Sequence, residues 1–184
     1  TCAVTSEAER QARQAIRSSK RNRPDAQILV TGCAAQVDPQ KWNSMPEVDF
    51  VIGNKEKLDE EFWKRFVPED SFHQNQNVFV QDIMEVKSTS GHLVESFNKH
   101  TRGFVQVQNG CDHRCTFCII PFGRGPSRSV STQSVINSIN SLLKNGVKEI
   151  VLTGVDLTSW GIDIFGKPSL GSVSYTHLTL PTSG

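Results

Sequence analysis

The sequence predicts an α/β chain whose amino-terminal part is a doubly wound parallel sheet. Two short, unbroken apolar runs, Ile28-Leu29-Val30 and Phe50-Val51-Ile52, are the first sign. Each is bounded by turn residues and has the length of a strand buried on both faces. Helical patterns lie on either side of these runs, and strands alternating with helices on short links favour parallel order.

The elements follow in chain order. Ser6 with Glu9 makes a capping-box signature for a helix over 7–19, which Arg23-Pro24 stops. The first strand runs into Thr31-Gly32-Cys33, and 39–43 reads as one helical turn. The second strand closes at Gly53-Asn54. Residues 55–66 then read as one amphipathic helix with Leu58, Phe62 and Phe66 on one side. From 67 to 98 the chain is polar and rich in turn residues, which predicts a linker with a short strand at Val78-Phe79-Val80. A second unit begins near Lys99. There Phe104-Val105-Gln106-Val107-Gln108 alternates as a strand and ends in the turn Asn109-Gly110. Thr132 is placed to cap a helix whose Val135, Ile136, Ile139, Leu142 and Leu143 keep helical spacing. Asn145-Gly146 stops it, and a strand over 149–152 ends at Thr153-Gly154.

Composition narrows the class. Of 184 residues, 36% are hydrophobic and 21% charged, which suits a globular chain rather than a disordered one. No apolar stretch approaches the roughly 20 residues needed to cross a bilayer. The chain opens at Thr1 without a methionine or a secretory pattern. Net charge +1 gives no overall pull toward nucleic acid, although 99–130 carries Lys99, Arg102, Arg114, Arg124 and Arg128 against Asp112 alone. Such a stretch is either a solvated surface or a binding face. Residues 172–184 hold the single tyrosine and no charged side chain, fit neither period, and are read as a non-native tail. The five cysteines are an odd set with three close together, which favours metal over disulfides and a reducing cytoplasm over export.

Cys111-x3-Cys115-x2-Cys118 is the sharpest motif. Three thiolates from one loop can each hold an iron of a cubane, leaving the fourth iron open. Zinc is the alternative; it calls for a fourth ligand, for which His113 inside the loop is the nearby candidate. Cys2 and Cys33 are read at the carboxyl ends of neighbouring parallel strands, about 4.8 Å apart, opening onto one sheet edge. Two buried structural cysteines are the alternative there.

With Phe117 before the last cysteine, the triplet resembles that of the radical S-adenosylmethionine (SAM) superfamily. Gln108-Asn109-Gly110-Cys111, the run from Cys118-Ile119-Ile120-Pro121 to Gly125-Pro126-Ser127-Arg128, Thr1-Cys2-Ala3-Val4-Thr5 and Val30-Thr31-Gly32-Cys33 resemble the methylthiotransferases within it. The likeness spans 1–171; residues 1–17 and 152–157 are most similar to the branch acting on threonylcarbamoyladenosine in tRNA.

The resemblance implies an amino-terminal methylthiotransferase domain over 1–66 without its first strand, a linker over 67–98, and the start of a radical SAM partial (β/α) barrel over 99–171. A full eight-fold barrel takes about 250 residues, so most of it and an RNA-binding domain are expected outside this sequence, and the segment alone is expected to be inactive. The implied activity is methylthiolation at C2 of threonylcarbamoyladenosine next to the anticodon. Isopentenyladenosine in tRNA or a ribosomal protein are alternative substrates, and a non-catalytic iron–sulfur or zinc module is the alternative from another class. The implied cofactors are SAM and two 4Fe–4S clusters: one on Cys111, Cys115 and Cys118, the other on Cys2, Cys33 and a cysteine before Thr1. One SAM would methylate a sulfur at the second cluster, and the other would yield the radical that activates C2. Phe117, Gly154 and Arg128 are the implied SAM contacts, and Arg124 could meet SAM carboxylate or tRNA phosphate. The implied partners are tRNA and a reductant such as flavodoxin or ferredoxin, with no membrane. Gln106 and Gln108 face either a barrel interior or solvent, Arg10, Arg13 and Arg17 read as a solvated helix face, and His73, His92, His100 and His113 receive no role.

Overall fold

The computed structural model describes residues 1–66, 76–87 and 101–171. The expectations for His73, His92, His100, most of the linker and the tail lie outside these residues. The chain divides into two units, one of Thr1–Val86 with His113–Gly125, the other of Lys87–Asp112 with the chain from Pro126.

In the first unit, helix α1 (Ser6–Asn22) starts one residue earlier than its capping signature suggested. The Thr5 hydroxyl accepts the Ala8 amide at 3.1 Å, so Thr5 is the cap and Ser6 is already helical. Glu7 and Glu9 open the helix and Lys20 and Arg21 close it, which suits its dipole. Arg10, Arg13 and Arg17 pair with Glu7, Glu9 and Glu47.

Strands β1 (Leu29–Thr31), β2 (Phe50–Ile52) and β3 (Val78–Phe79) form a parallel sheet in that order, with Val30 beside Val51 and Val51 beside Val78. The strand expected inside the linker is thus the third strand of this sheet. All of β2 is buried, as an unbroken apolar run in a central strand should be. One face of the sheet meets Ala34, Ala35, Trp42, Met45 and Val48. On the other, Phe50 and Phe79 meet Phe66 edge-on, with centroids 5.2 and 5.5 Å apart.

Helix α2 (Cys33–Val37) was not predicted, whereas α3 (Pro39–Asn43) has its expected bounds. The single helix expected over 55–66 is instead a 3₁₀ turn (Glu56–Leu58) followed by α4 (Glu60–Arg65). Asp59 separates them, because its carboxylate accepts the Glu61 amide at 2.9 Å and starts the second helix afresh. Helix α5 (Ile120–Arg124) also went unpredicted; Pro121 sits in its first turn and Gly125, at φ 79°, ends it.

The second unit is built on β4 (Arg102–Gln106), β5 (Gln108–Asn109), β6 (Arg128–Ser129) and β7 (Glu149–Thr153). β4 and β7 are parallel, and β5 and β6 are antiparallel. The one strand expected over 104–108 is therefore two. At Val107 the chain changes partners: its amide donates to Thr153 and its carbonyl accepts from Val130. Helix α6 (Thr132–Lys144) crosses the parallel pair and buries Val135, Ile139 and Leu142. Its cap is Ser131 rather than Thr132, with the Ser131 hydroxyl accepting the Ser134 amide at 3.3 Å. A side chain at Gly103 would stand 3.0 Å from Leu142, so the glycine lets the helix lie close. Trp160, fully buried, completes this core and donates its indole N–H to the Val130 carbonyl, just before α7 (Ile162–Phe165).

Candidate cluster and cofactor sites

None of the five cysteines, all among the described residues, is in a disulfide. In the second unit the approach to Cys111 is built around Gln108. The sequence left this residue between a barrel interior and solvent; the structure buries it completely. Its Nε2 donates to the Gly110 carbonyl at 2.7 Å and the Ser127 hydroxyl at 3.0 Å. Its Oε1 accepts the Val155 and Asp156 amides, each at 2.8 Å. One amide thus ties the residues before Cys111 to the turn that follows β7. Gly154 sits in that turn, where a side chain would collide with Leu157 and lie 3.0 Å from Gln108 Oε1. The close approach this glycine permits is to Gln108.

Asp112 accepts the Ser127 amide at 2.9 Å, which pins the start of the cysteine loop to the chain returning into β6. A carboxylate oxygen of Asp156 comes within 4.8 Å of Cys111 Sγ, and the Thr158 and Ser159 hydroxyls donate to the Asp156 carboxylate. Arg128 is only 5% exposed, so it is not a solvated loop residue, and burial lowers the pKa of its guanidinium.

In the first unit, Cys115 is exposed and Cys118 half-buried. They share a turn closed by the Cys118 amide on the Cys115 carbonyl at 3.0 Å. Phe117 between them is 91% exposed, the most exposed large apolar side chain among the described residues. α5 then lies against α2. A side chain at Gly123 would stand 2.9 Å from Cys33 Cβ, and Asn54 Nδ2 donates to the Gly123 carbonyl at 2.6 Å. Neither contact is legible in the sequence, where Asn54 and Gly123 stand 69 residues apart.

The expected strand at Cys2 is absent. Thr1 hydrogen-bonds to the Thr31 carbonyl at the end of β1, and Cys2 follows, exposed, in irregular chain before α1. Cys33 is likewise not a strand end; it opens α2 after Gly32, whose φ of 112° turns the chain. The Thr1 hydroxyl accepts the Ala35 amide at 3.2 Å and Thr1 packs on Gly32, which brings the chain leading to Cys2 beside the start of α2. Near Cys33, burial lowers the pKa of the Lys57 amine; the Cys33 sulfur opposes the shift and Arg124 adds to it.

The donor chemistry fits iron–sulfur cubanes. The five cysteines offer soft thiol donors outside any disulfide, with the Asp156 carboxylate beside Cys111, and the segment Cys111–Cys118 has no helix or strand of its own to be disrupted by ligation.

Comparison with known proteins agrees with these features. Residues 105–165 match the family model of the Radical SAM superfamily, and residues 1–53 match the one described as uncharacterized protein family UPF0004. A threonylcarbamoyladenosine tRNA methylthiotransferase MtaB of Rickettsia prowazekii is 50% identical over 173 residues, covering 94% of this chain and 39% of that protein. The chain is a relative of the radical SAM methylthiotransferases. Among these relatives, the MtaB of Aquifex aeolicus is 38% identical over 89% of this chain and 39% of its own length. A ribosomal protein uS12 methylthiotransferase RimO of Acetivibrio thermocellus is 33% identical over 82% of this chain and 34% of its own length. The chain therefore spans about two-fifths of the length of these two MtaB relatives. Among the described residues no helix is long and apolar enough to cross a membrane.

Proposed function

We propose that this chain is the cluster-bearing portion of a tRNA methylthiotransferase that adds a methylthio group at C2 of threonylcarbamoyladenosine beside the anticodon. The observation that carries the reading is the 50% identity to an MtaB relative across 94% of the chain. The ribosomal-protein alternative has weaker support, at 33% and 35% identity to two RimO relatives.

In this reading 1–66 is the methylthiotransferase domain and 99–171 the opening of the radical SAM domain, with 67–98 between them. Cys111, Cys115 and Cys118 hold one 4Fe–4S cluster. Cys2 and Cys33 contribute to a second, with a further cysteine outside this sequence. When bound, the first cluster and SAM supply a one-electron cleavage of the sulfonium that gives a 5′-deoxyadenosyl radical. The protein's residues bind, orient and shield. Gln108 fixes the entry to the cysteine loop against the turn of Gly154, where SAM would lie along the backbone. Phe117 would offer its exposed ring to the bound cofactor, and Arg128 would offer a charge from a buried base. The partners are tRNA and a flavodoxin or ferredoxin reductant, in the cytoplasm.

Anaerobic reconstitution of the full-length protein with SAM and dithionite is expected to release 5′-deoxyadenosine. Nucleosides from a strain lacking the gene should retain threonylcarbamoyladenosine and lose its methylthio form. Unchanged nucleosides with unmodified uS12 would transfer the assignment to the ribosomal substrate. Tetrahedral zinc without iron would replace the enzyme by a zinc module.

A further inference from the structure

We propose that Asn54 is a positioning residue for the Cys33 centre, its side-chain amide bridging the ligand sulfur and the helix that follows the cysteine triplet. The inference rests on Cys33 being a cluster ligand, as proposed above.

One backbone contact and three side-chain contacts fix Asn54. The Asn54 backbone N–H donates to Gln36 Oε1 at 2.8 Å, and Gln36 is itself buried on α2, one turn beyond Cys33. Lys57 Nζ, which can only donate, lies 3.0 Å from Asn54 Oδ1. That contact leaves Nδ2 facing the other way, where it meets the Gly123 carbonyl at 2.6 Å and Cys33 Sγ at 3.9 Å. With two hydrogens, Nδ2 can serve both acceptors at once. Gly123 has no side chain to hold α5 away, so its carbonyl reaches the amide. Donors to ligating sulfurs stabilise the more electron-rich, reduced state of a cluster, and second-shell groups orient the ligand. Asn54 therefore does two things. It holds the chain just beyond Cys118 against the helix that Cys33 opens, and it raises the reduction potential of the centre on Cys33.

The test uses N54A and the donor-retaining N54Q. In the metal-free chain, hydrogen exchange at the Gly123 and Gly125 amides should quicken by up to about tenfold in N54A, the loss of one hydrogen bond, and less in N54Q. In the anaerobically loaded full-length protein, a redox titration followed by electron paramagnetic resonance should show one centre moving to lower potential in N54A and returning part-way in N54Q. The other centre should stay fixed, and C33A should remove the signal that moves. Unchanged exchange overturns the tie between α5 and α2. Faster exchange with an unmoved potential overturns the sulfur contact, and if N54A does not hold iron, an N54Q potential equal to the native one together with native exchange in N54A does the same. C33A that keeps both iron centres sinks the assignment of Cys33 itself, while the exchange result still stands on its own.

Discussion

Cys33 and the pair Cys115–Cys118 belong to the same unit, yet the fold treats them differently. Cys33 opens a buried helix, with Gly123 against its Cβ and Asn54 beside its sulfur. The loop residues Asp112–Phe117 are all exposed. Apart from Asp112, which accepts the Ser127 amide, exposed side chains contribute little to holding this backbone, so in the proposed reading the loop takes its final shape largely from the cluster. The position of Cys33 is set by folding alone. Cys111 stands between these cases: its own loop begins there, but Gln108 anchors the chain leading to it.

The largest disruption of the preorganised side should come from Trp42→Ala. Trp42 is 1% exposed at the centre of the core beneath β1 and α2, and its loss should cost about 3–5 kcal/mol in denaturant unfolding. Its indole nitrogen has no hydrogen-bond partner among the described residues, so Trp42→Phe should recover part of that. Equal costs for the two variants would mean that the volume of this core does not matter to α2. Next in size is Gln108→Leu, which leaves the Val155 and Asp156 amides without their acceptor and should destabilise the second unit by about 2–4 kcal/mol. Hydrogen exchange should localise the effect to 153–156 and 108–110. A stability loss confined to the first unit would contradict the role assigned to this amide.

Gly123→Val tests the contact between α5 and Cys33 directly. The added Cβ would stand 2.9 Å from that of Cys33 and 3.3 Å from its Cα, so α5 must shift, at about 1–3 kcal/mol. Thermal unfolding should report the loss, and exchange at the α5 amides should rise with it. A variant as stable and as protected as the parent would mean that α5 does not lie on α2.

The legible parts of this fold were those whose signal is local. β2 matches its predicted bounds because three large apolar residues between turns have few alternatives. α6 shows its buried stripe through Val135, Ile139 and Leu142. Capping residues were misjudged by one position at Thr5 and Ser131, where two neighbouring hydroxyl residues compete and only the local backbone decides between them. α2 and α5 were missed for a shared reason. Each is five residues long, too short to show a period, and glycine at an end reads as loop. The cysteine triplet was plain from its spacing. Asn54 and Gly123 were not, since each looks like a turn residue until the fold brings them together.

Phe117→Ser should have the smallest effect on stability and separates the two kinds of site most cleanly. A ring 91% exposed buries almost nothing, so the metal-free variant should unfold within about 0.5 kcal/mol of the parent. In the proposed reading this solvated ring lies between two cluster ligands and meets the cofactor, so the change should appear in binding instead. In the loaded full-length protein, SAM should bind more weakly to Phe117→Ser at unchanged iron content, measured by calorimetry under anaerobic conditions. A variant that loses stability without SAM would show that the ring already supports the fold. Unchanged stability with unchanged SAM affinity would remove Phe117 from the cofactor site and leave its exposure without a function.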